Sequence, residues 1–366
     1  MLFGPQIGDT KGSYGGGTGG YTRNMSAYLT GFEDRDFAFT PCFHTIRQQG
    51  FSIWNSFPVR FLRDMGRIVR GLIATRPRIV HIMAQYRTAA PRELFCAWLA
   101  RLAGRHVFYE IKAGEFEHRY VEGSALYRWM IRRTLGAAHR IGIEGQRYQR
   151  FLETEFNRSA VYLPNICLDS EIPAITAPRF QNDVLKVMFV GYCYEGKGVF
   201  ELVEGCIAAA GQGVRLELIL AGHHSDPFAE FLATQTPPEG LTITAPGRVE
   251  YTDVLAGLQG VDIFCLPTRH KGEGHNNSVN EAMMCGCLVL CTRHGFLGDI
   301  LNEDVAVFLE NLTGPAIAAR LGEIDADRPG SIERAARGRA HFEDNFTSRV
   351  VFARLAETYR DMTGGT

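Results

Sequence analysis

The sequence predicts an α/β protein with two doubly wound domains, each a parallel β-sheet covered by helices. Short runs of β-branched and aromatic residues alternate with helix-length segments along the chain, which is the pattern of βαβ units. Several runs are apolar throughout, as strands buried on both faces should be. At 366 residues, the chain is longer than one core usually allows.

The individual strands are predicted from these apolar runs. In the first half they lie at residues 1–3, 36–40, 79–83, 106–111, 140–143 and 160–163. In the second half they lie at residues 185–190, 215–221, 241–244, 262–266, 287–291 and 305–309. After Pro329 the pattern is helical almost to the end.

The domain boundary is predicted where helical and strand periodicity stop. Pro164, Pro173 and Pro178, together with Asn165, mark a linker between two similar halves. We therefore expect an N-terminal Rossmann-like domain at 1–166 and a C-terminal one at 167–346, with a last helix at about 347–366 that packs back on the first domain. Two such sheets facing each other leave a cleft at the carboxyl ends of their strands, where ligands usually bind.

Composition indicates an ordinary globular protein, with 45% hydrophobic and 22% charged residues. No apolar run is long enough for a membrane span, and no signal peptide is visible. The nine scattered cysteines are typical of reduced thiols, so we expect a cytoplasmic protein. Lys and Arg outnumber Asp and Glu up to residue 170 and are outnumbered after it, which suggests an anionic partner for the first half.

The most informative motif is the run Glu-Gly-His-Asn-Asn-Ser-Val-Asn-Glu from Glu273 to Glu281. It follows a predicted strand, and Ser278 with Glu281 fits a capping box at the start of a helix. A helix start favours anions such as phosphate, so flanking carboxylates should accept hydrogen bonds from sugar or ribose hydroxyls beside it. Alternatively, Glu281 only completes the cap, and His275, Asn276 and Asn277 only form a turn.

A second motif runs from Gly191 to Gly198 and also joins a strand to a helix. Its glycines allow close approach of a ligand, and Lys197 supplies a positive charge for a phosphate. The alternative is a simple β–α turn with a solvated lysine.

Together these segments resemble the retaining nucleotide-sugar glycosyltransferases of family 4, which have the GT-B fold. The matching pieces stand in the family's order: the Gly191…Lys197-Gly198 turn, the Pro246-Gly-Arg-Val249 segment, the strand ending at Pro267, the Glu273–Glu281 pair, and the strand at 288–290. Asn165 matches the usual entry to the linker. The resemblance covers most of residues 160–310 and is looser before them.

The resemblance implies specific roles. Glu273 would contact donor-sugar hydroxyls, Glu281 would hold the ribose, and Lys197 would neutralise the departing diphosphate. Backbone N–H groups would assist Lys197, and they belong to Gly274, His275, Asn276 and Asn277, beside Ser278. Val249 would contact the base. The resemblance implies no metal and no cofactor, with the nucleotide-diphosphate sugar as donor substrate and front-face attack that retains anomeric configuration.

Two positions depart from the family pattern. Tyr192 follows Gly191 where an arginine is usual, so one cationic contact is missing unless Arg248, Arg269 or Lys271 supplies it. In the first domain, Lys112 stands near the place of a usual histidine, and His118 lies close by in sequence.

Three further patterns are weaker. The glycine-rich loop at 12–20 contains a loose G-x-G-x-x-G; Gly17, Gly19 and Gly20 are candidates to approach donor phosphates or acceptor, and a structural loop is the alternative. Asp34-Arg-Asp36 spells the metal-binding Asp-x-Asp of other glycosyltransferases, but a solvated turn fits better. Cys285, Cys287 and Cys291 fit small core residues better than metal ligands.

Two basic amphipathic stretches complete the pattern. Arg60, Arg63, Arg67 and Arg70 form one helical stripe, and residues 127–140 form another basic segment. Either is a candidate for contact with an anionic membrane at its inner face. A solvated helix face is the alternative.

The sequence therefore predicts a metal-independent, retaining hexosyltransferase. It would move a sugar from a nucleotide-diphosphate donor to a hydroxyl of a glycan or lipid-linked oligosaccharide, in bacterial surface polysaccharide synthesis. No nucleic acid partner is expected. One alternative is a non-catalytic nucleotide-sugar or glycan-binding protein, and a weaker one is an NAD-dependent Rossmann enzyme based on the first glycine loop.

Overall fold

The structure is a computed structural model that describes residues 1–5, 17–45, 56–85, 87–175 and 178–364, without the side chains of residues 17–20 and 87. The chain divides into two compact units, which are described separately. Of the described residues, the first unit contains residues 1–5, Tyr21–Pro164 and the chain after Thr347, and the second contains residues 17–20 and Asn165–Thr347. The boundary thus falls after Pro164, whereas the sequence places it after residue 166.

Each unit is built on a parallel sheet with six strands in the described residues. The first sheet has the order β2-β1-β3-β4-β5-β6, with β1 at Leu2–Pro5, β2 at Pro41–His44, β3 at Ile79–Ala84, β4 at His106–Ile111, β5 at Arg140–Ile143 and β6 at Val161–Tyr162. The second has the order β12-β11-β10-β7-β8-β9, with β7 at Leu185–Val190, β8 at Leu216–Ala221, β9 at Leu241–Gly247, β10 at Ile263–Leu266, β11 at Leu288–Thr292 and β12 at Ala306–Leu309.

Helices connect the strands in both units, as parallel pairing requires. Those associated with the first sheet are α1 (Gly17–Gly31), α2 (Phe57–Thr75), α3 (Ala90–Leu102), α4 (Phe116–Val121), α5 (Ala125–Ala137), α6 (Arg147–Phe156) and α14 (Ser348–Met362). Those of the second are α7 (Val199–Gly211), α8 (Asp226–Thr234), α9 (Tyr251–Gln259), α10 (Asn277–Met284), α11 (Leu297–Ile300), α12 (Gly314–Ala326) and α13 (Arg328–Asn345). The predicted doubly wound α/β architecture is confirmed.

One predicted strand is wrong. Residues 36–40 are irregular, and the strand of this region begins at Pro41. Phe37 and Phe39 make the segment look like a strand, but their rings pack against Tyr359 at centroid distances of 5.4 Å and 6.2 Å. Their aromatic character therefore serves contact with α14 instead of sheet pairing.

A buried polar network joins α14 to the first sheet. Tyr359 Oη lies 2.5 Å from His81 Nδ1, and His81 Nε2 lies 3.0 Å from Glu110 Oε2. Tyr28 donates a hydrogen bond of 2.7 Å to the other Glu110 oxygen, and Lys112 Nζ lies 3.3 Å from it. Burial alone would raise the pKa of Glu110, but Lys112, His81 and Tyr28 hold it at about 2. The carboxylate is thus paired and charged inside the unit.

The Asp-x-Asp sequence near the N-terminus binds an arginine of α14. Arg360 Nε donates a hydrogen bond of 3.1 Å to Asp36, and Arg360 also donates to Asp34. Among the described residues, no group of three or more His, Cys, Asp or Glu side chains is placed to hold a metal ion. All nine cysteines are buried thiols, which agrees with the interpretation of Cys285, Cys287 and Cys291 as core residues.

Candidate functional site

The carboxyl ends of β7 and β10 carry the two charged residues that the sequence singles out. Glu273 lies in the loop after β10 and is 5% exposed. Its carboxylate accepts hydrogen bonds from Lys197 Nζ at 2.6 Å, Thr268 Oγ1 at 2.7 Å and Asn276 Nδ2 at 2.8 Å. Burial alone would raise the pKa of Glu273, but Lys197, with the hydrogen bonds from Thr268 and Asn276, holds it below its ordinary value. The site thus contains an ionised carboxylate in contact with an ammonium group.

The position of Lys197 follows from the turn that precedes α7. A 3-10 turn spans Glu195–Lys197 and ends at Gly198, which has φ +69°. A Cβ atom on Gly198 would lie 1.9 Å from the carbonyl oxygen of Pro267, so only glycine lets this turn approach the end of β10. The N–H of Arg269 then donates to the carbonyl of Gly196 at 2.9 Å. Backbone contacts therefore join the lysine turn to the glutamate loop.

The start of α10 differs from the predicted capping box. The N-cap is Asn276, whose side chain accepts the N–H of Ser278 at 2.9 Å, and Ser278 lies inside the helix. The prediction failed because Asn and Ser are both good caps and the pattern alone does not choose between them. Among the described residues, Asn277 Oδ1 is buried without a hydrogen-bond partner. An acceptor at the helix start is therefore available to a donor group of a ligand.

Glu281 lies in the middle of α10 and is fully buried. Burial raises its pKa to about 8, so this carboxyl carries a proton at neutral pH. Its environment is opposite to that of Glu273, which has a lysine partner. Of the two acids that flank the loop, Glu281 is therefore neutral and Glu273 is charged.

The loop between these acids is held by the first residue of the second unit. Asn165 Nδ2 donates to the carbonyl of His275 at 2.7 Å, and Asn280 Nδ2 donates to the carbonyl of Asn165 at 2.8 Å. His275 Nε2 lies 2.9 Å from Asn280 Oδ1, which closes a ring of three hydrogen bonds among buried residues. This ring fixes the backbone of the loop that contains Gly274 and Asn276.

The other predicted donor-side residues follow neighbouring strands of the same sheet. Gly191 and Tyr192 follow β7, and Val249 follows β9 and packs partly against the core. Of the three cations considered as substitutes for the missing arginine, Arg269 is paired with Glu201 at 2.5 Å and Glu195 at 3.2 Å. Arg248 and Lys271 are exposed.

The predicted acceptor-side and phosphate-loop residues lie in different environments. Lys112 is buried and donates to the carbonyls of Leu163 at 3.1 Å and Pro164 at 3.3 Å. His118 is exposed and pairs with Glu122 at 3.1 Å. Gly17, Gly19 and Gly20 lie in the first turn of α1, whereas residues 6–16 of the glycine-rich loop lie outside the described residues. Their acceptor or phosphate roles stay predictions.

Several site residues were missed by the sequence. Thr268 and Asn280 bind Glu273 and Asn165, respectively, and neither stands in a recognisable motif. The sequence predicts no role for Tyr194, which stands in the glycine turn. Its hydroxyl nevertheless lies 2.6 Å from His270 Nδ1 in the Glu273 loop. A polar residue directly after an apolar strand, as Thr268 is, was the one signal that could have been used.

Part of the second unit matches known proteins in sequence. Residues 185–324 match the family described as Glycosyl transferases group 1. The chain is 20% identical to the capsular polysaccharide biosynthesis glycosyltransferase CapM of Staphylococcus aureus over 185 residues, which is 50% of this chain and 47% of CapM. It is also similar to a GDP-mannose-dependent monoacylated alpha-(1-6)-phosphatidylinositol monomannoside mannosyltransferase of Corynebacterium glutamicum. The two are 28% identical over 114 residues, which is 30% of each chain. The matches thus span half or less of these relatives.

Solved structures share the fold over nearly the whole chain. Anabaena Alr3699/HepE, determined in complex with UDP and glucose, has a TM-score of 0.68 at 13% identity and covers 98% of both chains. Sucrose-phosphate synthase from Thermosynechococcus elongatus has a TM-score of 0.66 at 14% identity, over 99% of this chain and 98% of that one. The predicted two-domain, Rossmann-like GT-B fold is therefore confirmed.

Proposed function

We propose that this protein transfers a sugar, with retention of anomeric configuration, from a nucleotide-diphosphate sugar to a hydroxyl of a glycan or lipid-linked acceptor. The observation that carries the proposal is the contact between Lys197 and Glu273 at the carboxyl ends of β7 and β10. It lies within the residues that match glycosyltransferases, beside the start of α10. A cation, a carboxylate and a helix N-terminus suit a diphosphate flanked by sugar hydroxyls.

Each group has a role in this proposal. Lys197 and the N–H groups at the start of α10 balance the charge that develops on the departing diphosphate, so no metal is needed for that step. Glu273 accepts hydrogen bonds from sugar hydroxyls next to the reacting carbon, held in place by Thr268 and Asn276. Glu281 accepts from the ribose and Val249 lies against the base.

The names of the relatives support a choice of acceptor class and pathway. CapM carries capsular polysaccharide biosynthesis in its name, and the mannosyltransferase acts on a phosphatidylinositol mannoside. A surface polysaccharide or lipid-linked glycan is therefore the acceptor class that we propose. The reaction takes place in the cytoplasm, where nucleotide sugars are made.

We also propose that the first unit contacts an anionic membrane. Its surface carries a chain of aromatic contacts, which we name the aromatic-basic face together with the exposed arginines of α2. Successive ring centroids are 5.4–6.2 Å apart, through Phe57, Phe61, Phe95, Trp98 and Trp129. On helix α2, Leu62 and Ile73 are each 69% exposed, and Arg63, Arg67 and Arg70 are exposed as well. Apolar side chains mixed with arginines suit a headgroup region. Within the described residues, no helix is long and apolar enough to cross a bilayer.

The test is a transfer assay with purified protein, EDTA, a panel of nucleotide sugars and glycan or lipid-linked acceptors. We expect one donor to give product and free nucleoside diphosphate, with the new linkage keeping the donor's anomeric configuration by NMR. Glu273→Ala should lower the rate at least about 100-fold, whereas Glu239→Ala, at an exposed glutamate, should not. Donor binding without turnover on any acceptor would instead indicate a nucleotide-sugar-binding protein.

A further inference from the structure

A cluster of basic side chains lies at the amino ends of β4 and β5 in the first unit. We name it the amino-edge cluster, and its members come from the end of α3, the starts of the two strands and the chain after α6: Arg101, His106, His139, Arg140 and Arg158. β4 is six residues long, so about 20 Å of strand separates the cluster from the carboxyl end of the same strand, which Lys112 follows. The cluster is therefore distinct from any ligand site at the carboxyl ends of the strands.

Strand pairing brings the two histidines of the cluster together. The pairing of β4 with β5 continues one residue ahead of β5, because the N–H of His139 donates to the carbonyl of Val107 at 2.8 Å. The N–H of Val107 in turn donates to His139 Nδ1 at 2.8 Å. The centroids of the His106 and His139 rings are 4.7 Å apart. The backbone of the sheet thus holds the His139 ring in one orientation, beside the ring of His106.

The arginines of the cluster have no acid partner within the described part of the chain. Their side-chain hydrogen bonds go to the ring of His139 from Arg101, to the carbonyl of His139 from Arg140 at 3.3 Å, and to two carbonyls near the end of α5 from Arg158, both at 2.7 Å. Burial first, and then the charges of Arg101, His106, Arg158 and Arg140, lower the pKa of His139 to about 4. Three guanidinium charges therefore surround a neutral imidazole ring.

The contact between Arg101 and His139 contains two donors and no acceptor. Because His139 Nδ1 accepts the N–H of Val107, the neutral ring carries its hydrogen on Nε2. Arg101 Nη1 contacts this same nitrogen, so two N–H groups face each other. In addition, His106 Nδ1 is buried without a hydrogen-bond partner among the described residues. An anion at this place would accept hydrogen bonds from both donors and compensate the guanidinium charge.

We propose that the amino-edge cluster binds a phosphate group, held by Arg101 and by His139 Nε2 with Arg140 beside them. The inference does not depend on the proposed function. A phosphate monoester has a charge between about −1.5 and −2 at neutral pH and three acceptor oxygens. It therefore suits several arginines and an imidazole N–H better than a carboxylate, which has one charge and two oxygens. Soluble phosphorylated metabolites and lipid headgroups both carry this group, and the test distinguishes them.

The test presents the same phosphate monoester in two forms. Glycerol 3-phosphate in solution is measured by isothermal titration calorimetry, and phosphatidic acid in phosphatidylcholine vesicles by sedimentation. The test variant combines Arg101→Gln with Arg140→Gln, both at exposed side chains. The matched control combines Arg128→Gln with Arg133→Gln, which removes the same charge from exposed positions of α5.

We expect the test variant to bind at least about tenfold more weakly than the wild-type protein, and the control to stay within about twofold. The vesicle measurements use proteins that also carry Arg63→Glu and Arg70→Glu, so that α2 does not contribute. Loss of glycerol 3-phosphate binding would identify a soluble ligand, and loss of vesicle binding alone would identify a lipid headgroup.

The contrary results are equally specific. Lys197→Ala is titrated in parallel, because a free phosphate also suits a diphosphate site. Weaker glycerol 3-phosphate binding in Lys197→Ala, with wild-type affinity in the Arg101→Gln, Arg140→Gln variant, would assign the phosphate to the second unit and overturn the inference. Equal losses in the test and control variants would show an effect of overall surface charge. A wild-type protein that binds neither glycerol 3-phosphate nor phosphatidic acid would overturn the inference as well.

Discussion

The ammonium group of Lys197 lies 2.6 Å from the carboxylate of Glu273, across the ends of two adjacent strands. The lysine side chain is 14% exposed and that of the glutamate 5%. Each group therefore compensates the charge of the other. A diphosphate would compete for the lysine, and sugar hydroxyls would replace its contact with the glutamate. In the proposed function, both residues would thus be in position before the donor binds.

Removing the lysine should abolish most transfer. Lys197→Ala removes the positive charge beside the diphosphate and leaves Glu273 buried without its ion-pair partner, so we expect a rate at least about 100-fold lower. Lys186→Ala is the matched control, because Lys186 lies near the start of β7 and pairs with Glu217 at 3.5 Å. The measurement is release of nucleoside diphosphate under saturating acceptor. Equal losses in the two variants would contradict a specific role for Lys197.

Glu281 should make stability depend on pH in a direction opposite to that of Glu273. The folded protein holds the proton of Glu281 up to about pH 8, compared with an ordinary pKa of 4.5, so its contribution to stability falls as pH rises between these values. Glu281→Gln stays neutral throughout this pH range. Its free energy of unfolding should therefore rise relative to that of the wild type by up to about 1.4 kcal/mol per pH unit. Urea unfolding from pH 4.5 to 8 measures this difference.

Glu273 supplies the comparison for that experiment. Its pKa lies below 4.5 in the folded protein, so it stabilises the fold above the ordinary value and loses this contribution as pH falls through the folded value. Glu273→Gln should therefore lower stability most at neutral pH. A Glu281→Gln variant whose stability relative to wild type did not change with pH would show that Glu281 is ionised in the fold.

Asn165 should affect both stability and the donor loop. Asn165→Ala leaves the buried carbonyl of His275 without its 2.7 Å donor, which should cost about 1–3 kcal/mol in the free energy of unfolding. Asn302→Ala, at an exposed asparagine that accepts only a local N–H, should cost less. Nucleotide affinity, measured by titration, should fall in Asn165→Ala alone. Wild-type nucleotide affinity in Asn165→Ala would show that this linker residue does not affect the donor site.

The strands were the easiest part of the structure to predict. The predicted bounds of β4, β5 and β7 coincide with the observed ones, because parallel strands buried on both faces are apolar throughout. Residues 36–40 also contain aromatic residues, yet Phe37 and Phe39 contact Tyr359, which lies more than 300 positions later. Local composition does not distinguish a strand from an aromatic segment that covers a distant helix.

The site was predictable only in part for a similar reason. Glu273 and Lys197 stand in turns that follow strands, and that context identifies them without a structure. The hydrogen bonds of Asn165 with His275 and with Asn280 join positions 110 and 115 residues apart. The rings of Tyr192 and His223 stack because β7 pairs with β8. Neither arrangement has a local sequence signal.

The aromatic-basic face should bind anionic vesicles. Arg63→Glu combined with Arg70→Glu reverses two exposed charges of α2, and each arginine near a charged bilayer contributes about 1 kcal/mol. We expect at least tenfold weaker sedimentation with phosphatidylglycerol vesicles and little binding of either protein to phosphatidylcholine. Arg215→Glu, in the second unit, is the control. Vesicle binding that is insensitive to the α2 substitutions would place the membrane contact elsewhere.

The most direct test of the donor site is a melting-temperature screen against UDP, GDP, dTDP, ADP and CMP and their sugars, with Lys197→Ala in parallel. At about 100 times its dissociation constant, a ligand should stabilise the wild-type protein by about 2.7 kcal/mol. We predict a clear rise in melting temperature with at least one nucleotide and its sugar, and a much smaller rise in Lys197→Ala. A flat response of the wild-type protein across the panel, or the same rise in both proteins, would contradict a nucleotide-sugar site at Lys197 and Glu273.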